Sequence, residues 1–235
     1  MYKEVWNKYM KGFKFLLPFI LVHVLFQSTS LNLNLNQYTF LGGSFTTFEQ
    51  TIASNFVPIL FILFVGSLFY SFLTVVIKKL INGENINYIE SFKESLNIYL
   101  KYLGLNIILS TITLGVILLG FLSILMSIAF ILMIYLSIVF TPCEAYLVYN
   151  NTRPVTSLKQ GIAVGKKHSG EIILLSFMLC VILSIIAAVT LNFKTNVISE
   201  VFLNFITTCA SFYVYTFAMT ICKKEERVEA LTLEY

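Results

Sequence analysis

Long apolar runs separated by short polar breaks dominate this chain. A helix crossing a bilayer core of about 30 Å needs about 20 mainly apolar residues. Residues 13–27 make a first, short candidate, with Pro18 in its opening turn, where a missing N–H is tolerated. Residues 55–80 make a second. The apolar stretch 102–149 is too long for one crossing and must fold back, with Gly115, Gly120 and Ser123 marking the turn, which yields spans three and four. Residues 172–191 and 197–221 supply the fifth and sixth. The expected fold is an all-α integral membrane protein, one polytopic domain over residues 1–235.

Composition agrees with this pattern. Hydrophobic residues make up 57% of the chain and charged residues 12%, against about 25% charged in soluble domains. Asp is absent, and abundant Ile, Asn, Lys and Phe suggest an AT-rich bacterial genome. The net charge of +4 reads as lysines flanking the spans, not as a nucleic-acid surface. The four cysteines lie in or beside apolar runs without metal-ligand spacing, and read as reduced thiols packed as small hydrophobes. Residues 1–12 interleave lysines with Tyr2, Trp6, Tyr9 and Met10, as an interfacial helix does, and lead into an uncleaved, signal-like first span.

The basic residues set the orientation. Of the sixteen Lys and Arg, only Lys194 falls on the outer side of the six-span arrangement. Positive residues stay inside, so both termini are expected in the cytoplasm of a bacterial cell, with 31–54 an extracytoplasmic loop and 223–235 a cytoplasmic tail.

At an offset from Asn85 to Asn151 the chain repeats itself faintly. Ser91, Lys93, Lys101 and Gly104 align with Ser157, Lys159, Lys167 and Gly170. Spans two and three would then echo spans four and five as a parallel repeat. Each copy carries a cytoplasmic amphipathic helix. In the first, Asn87 and Glu90 form a capping pair. Tyr88, Ile89, Phe92, Leu96 and Tyr99 make its apolar stripe, and Glu90, Lys93, Glu94, Asn97 and Lys101 face away. The second opens on Pro154, and Gly161 and Gly165 weaken it as a helix. These helices read as interfacial struts, or as a basic surface for lipid headgroups or a partner.

Ionisable groups inside a span are rare and functional by default. Glu144 follows Thr141, Pro142 and Cys143 in a helix-start pattern, which suggests that span four breaks or kinks there. The repeat offset sets Lys78 opposite Glu144, so an ion pair between them is expected, with Lys79 beside it. The candidate membrane site is therefore Glu144, Pro142, Lys78, Lys79 and His23. His23, in mid-span one, reads as a neutral hydrogen-bonding group or as a proton relay. Glu171 and Glu200 open spans five and six, where the helix dipole favours an acid. In the outer loop, 31–36 alternates Leu with Asn and Thr46 with Glu49 could cap a helix. It reads as an interfacial loop, a lid or a peptide-docking site. No catalytic or cofactor signature occurs. An enzyme would need a polar pocket that unites at least two of Glu144, Glu171, His23 and His168.

Trp6 ahead of a lysine-flanked first span, the repeated span–helix–span unit, and the stretch from Thr141-Pro142 through Asn150 to Ser157-Leu158-Lys159 together resemble a broad bacterial family of six-span membrane proteins. That family includes the membrane domain attached to some glycerophosphodiester phosphodiesterases and stand-alone relatives. The phosphodiesterase catalytic domain has no counterpart in this chain, so the resemblance implies membrane residence and a role in envelope homeostasis or export, without that activity. The leading expectation is a non-enzymatic small transporter, or the membrane partner of an export system, working with the lipid bilayer, another membrane subunit or an ABC ATPase. The alternative is a self-protection or envelope-stress protein that binds a membrane-active peptide through the outer loop.

Overall fold

The computed structural model describes residues 1–28, 56–120, 123–192 and 197–233. Among them every regular element is helical. Six of these helices are long and apolar enough to cross a membrane: Tyr2–Gln27, Ile59–Asn82, Tyr88–Gly120, Met126–Asn150, Ser169–Thr190 and Ser199–Glu226. The chain is a multi-pass membrane protein. Spans two, four and six pack on one another at the centre. Span one lies against two and six, span three against two and four, and span five chiefly against six. The outer loop 31–54, with its Leu–Asn alternation and Thr46–Glu49 pair, lies outside the described residues.

Span one is one helix from Tyr2 to Ser28. Residues 1–12 are its opening turns and do not lie apart from it. Val5, Tyr9, Leu16 and Ile20 recur at helical spacing and are buried, and the Tyr9 hydroxyl donates to the Cys209 carbonyl at 3.0 Å. Apolar anchoring on span six thus holds these turns in line with the span. Pro18 consequently sits inside the helix, where its ring leaves the Lys14 carbonyl without the usual amide.

Span two changes winding. A π-helical turn, Ile62–Gly66, separates Phe56–Phe61 from Ser67–Asn82. The Tyr99 hydroxyl donates to the Phe64 carbonyl inside this turn at 3.2 Å. Gly83, with φ 75°, ends the span in the left-handed conformation that glycine adopts without strain.

Span three starts earlier than its apolar run. The first connector helix is continuous with it, a single helix Tyr88–Gly120. Asn87 caps it, its side-chain oxygen accepting from the Ile89 amide at 3.0 Å. The stripe turned to the bundle is Ser91, Ser95, Ile98, Tyr102 and Leu105. The apolar positions Tyr88, Ile89, Phe92 and Leu96 are exposed instead. Lipid accepts an apolar face as readily as a protein core does, whereas small residues let helices approach closely. The supposed outward face is corrected too: Glu94 turns to Lys78 and Lys79, and Lys101 donates to the Asn151 side chain at 2.8 Å.

Of the residues expected to mark the turn between spans three and four, Gly120 ends one helix and Ser123 opens a 3-10 turn, Ser123–Leu125, on the approach to the next, while Gly115 lies inside the helix. Span four runs unbroken through Pro142, from Met126 to Asn150. The expected break at Glu144 is absent. The released Ile138 carbonyl is the local consequence of the proline.

The second connector helix, Pro154–Lys167, stays separate from span five. Its glycines are a packing surface and not a weakness. A Cβ at Gly161 would meet the Cys143 Cα at 2.6 Å, and one at Gly165 the Val139 carbonyl oxygen at 2.6 Å. Ser157, one turn earlier, donates to the Cys143 carbonyl at 2.6 Å. This small-residue stripe seats the connector directly on span four. Of the cysteines, Cys143 and Cys222 are buried and Cys209 is partly so, but Cys180 is exposed on the outward face of span five rather than packed.

Candidate functional site

Glu144 is the only acid placed well inside span four, about 9 Å along the helix axis from Asn150. Its carboxylate accepts a 2.5 Å hydrogen bond from the Tyr102 hydroxyl on span three. The Tyr215 hydroxyl on span six is its second donor. Tyr70 of span two stands next to Tyr215, their ring centroids 5.6 Å apart. Tyr102 is fully buried, while Glu144, Tyr70 and Tyr215 keep part of their surface accessible. Four spans therefore surround a carboxylate that keeps part of its surface accessible.

No cationic side chain pairs with Glu144 among the described residues. The expected Lys78–Glu144 pair does not form. Lys78 and Lys79 reach Glu94 instead, at 3.5 and 3.4 Å. The helix beginning at Tyr88 folds back beside span two and brings Glu94 to the lysines near the end of the bundle. There both charges keep some contact with solvent, a lower desolvation penalty than carrying an ammonium into the interior. Pro142 is buried on span four, and its carbonyl oxygen lies 3.9 Å from Cys222 Sγ.

His23 extends the polar path through span one. Its Nε2 lies 2.9 Å from the Tyr70 hydroxyl and its Nδ1 3.1 Å from Thr208 Oγ1. Thr208 donates its own proton to the Asn204 carbonyl at 2.7 Å. Its oxygen is then an acceptor toward His23, so the neutral ring carries its proton on Nδ1, and Nε2 accepts from Tyr70. The hydrogen bonds point one way: Tyr70 to His23, His23 to Thr208, Thr208 to Asn204.

A second cluster forms where span six passes the second connector. His168 is buried between two carboxylates, with Nδ1 2.9 Å from Glu171 and Nε2 2.9 Å from Glu225. Lys167 closes on Glu225 at 2.6 Å, and the Tyr2 hydroxyl donates to the Glu171 backbone carbonyl at 2.9 Å. Two of the four residues whose meeting an enzyme would need, His168 and Glu171, do come together. Both imidazole nitrogens are taken by carboxylates, however, which leaves neither for a substrate. Glu171 also does more than face a helix dipole.

Glu144 and His23 stand out in the sequence as polar residues inside apolar runs. Tyr70, Tyr102 and Tyr215 do not, since tyrosines are ordinary in membrane spans and only folding shows which hydroxyls turn inward. No protein-family model, curated protein or solved structure matches this chain.

Proposed function

We propose that this protein is a small transporter of the bacterial plasma membrane, with both termini in the cytoplasm, that binds a small organic cation at Glu144. The observation that carries the reading is an interior carboxylate, partly accessible, with hydroxyl donors but, among the described residues, no cationic partner. Such a group attracts a cation, and the partly accessible Tyr70 and Tyr215 add aromatic rings that favour quaternary ammonium chemistry. The orientation draws support from contacts that gather the basic residues at one end: Lys223 donates to the Ile81 carbonyl, Lys101 to Asn151, and Lys167 pairs with Glu225.

The parallel repeat is part of the proposal. Ser91 and Ser157, equivalent under the offset, are both fully buried on connector helices whose starts, Tyr88 and Pro154, are equivalent as well. Spans two and four, equivalent too, both take central positions. The two copies differ at Tyr102 and His168, where one helix continues and the other turns.

Calorimetry on the purified full chain tests the cation site, with tetraethylammonium as probe and sodium and potassium for comparison. Glu144→Gln is expected to weaken tetraethylammonium binding at least tenfold. Equal binding by Glu144→Gln, or no saturable binding to the unaltered chain, refutes the site.

A further inference from the structure

Glu144 and His23 belong to different spans, yet Tyr70 is bonded to the second, and its ring lies 5.6 Å from that of Tyr215, a partner of the first. Tyr70 lies about 18 Å along its helix from Asn82, deeper than Glu144 lies from Asn150. His23 is nine residues beyond Lys14, about 13 Å along span one. The polar groups thus climb from the half of the bundle that holds the lysines toward its other half. They pass through span interiors where unpaired polar groups are expensive.

We propose that Glu144 takes a proton in alternation with its cation, and that Tyr70 and His23 pass that proton between Glu144 and the far half of the bundle. This rests on the reading of Glu144 as the cation site. Cation and proton compete for one carboxylate, so arrival of either releases the other. In the relay step the Tyr70 O–H bond breaks and an N–H bond forms at His23 Nε2, giving an imidazolium. A proton from the Glu144 carboxyl, handed on by the Tyr215 hydroxyl, restores the Tyr70 O–H. The net change is Glu144 from acid to carboxylate and His23 from neutral to charged, with both tyrosines unchanged. The reverse step resets the ring. Thr208 holds the ring with Nε2 toward Tyr70, since its oxygen accepts from Nδ1. The titratable groups facing Glu144 are Tyr102 from span three, Tyr215 from span six and Tyr70 from span two, with Cys143 adjacent on its own span. Among the described residues no lysine or arginine pairs with Glu144 or His23, so neither is locked in one state by a fixed positive charge.

The test uses the full chain in lipid vesicles with a pH-sensitive dye inside and a potassium diffusion potential set by valinomycin. It is run without added organic cation and again with tetraethylammonium on both sides. In at least one condition the protein should move protons faster than empty vesicles. Glu144→Gln should abolish this movement. Tyr70→Phe and His23→Gln should each slow it at least tenfold, with thermal unfolding in detergent confirming that both variants fold. Glu144→Asp should restore part of the flux, which a merely structural loss would not do. Proton movement equal to empty vesicles in both conditions overturns the proposal, as does full movement in Tyr70→Phe and His23→Gln. Proton movement that depends on Glu144 in a chain that fails to bind tetraethylammonium keeps the proton path and removes the organic cation. Intact binding without proton movement does the reverse.

Discussion

At the scale of single residues, partner choice around Glu144 departs most from what pattern alone indicates. A carboxylate and a lysine equivalent under a repeat make an obvious pair, but two tyrosine hydroxyls already serve the carboxylate, and Glu94 answers the lysines. Exchanging Lys78 and Glu144 should therefore bring no recovery: the double charge swap is expected to express and unfold no better than the worse single variant, read by fluorescence-detected gel filtration. Glu94→Gln should weaken the fold only slightly, by about 1 kcal/mol or less in thermal unfolding, because its two lysine contacts are long and partly exposed. Glu144 and His23 were legible as candidates because an ionisable group in an apolar run is conspicuous. Tyr102 was not, since nothing local separates a tyrosine that donates to a buried acid from one that faces lipid.

At the scale of elements, span existence was legible and span contacts were not. The six apolar runs and the turn near Gly120 stand in the sequence because a helix must satisfy its own backbone in lipid. Which face meets the protein follows another rule. In the first connector, residues chosen for hydrophobicity face outward, while Ser91 and Ser95 face in. In the second, glycines that look like helix breakers are the contact. Gly161→Ala and Gly165→Ala should each destabilise by about 1–3 kcal/mol, since a Cβ would strike span-four backbone atoms. Gly115→Ala meets nothing within 4 Å and should be neutral, or stabilise by about 0.5–1 kcal/mol as alanine replaces glycine within a helix. Unfolding in detergent, followed through Trp6 fluorescence, separates these outcomes.

At the scale of the whole molecule, charge segregation supplies an expected orientation, whereas the arrangement of three central and three outer spans has no signal in the sequence. A chain with its native cysteines replaced and a single new one at Asn85, an exposed position between spans two and three, tests the orientation. An impermeant maleimide should label it in inverted membrane vesicles and not in intact cells. Span six brings the two polar clusters together mechanically. It belongs to one uninterrupted helix, Val197–Leu233, about 55 Å long and thus longer than the bilayer core. Tyr215 at the carboxylate and Glu225 at the His168 cluster are fixed on this same rod, about 15 Å apart. It behaves as a lever: a tilt of about 10° pivoting at Tyr215 would carry Glu225 about 2.6 Å. A displacement of that size is enough to stretch the Lys167 ion pair well beyond its 2.6 Å separation. The carboxylate's surroundings and the grip of span six on the second connector are thereby carried on a single stiff arm.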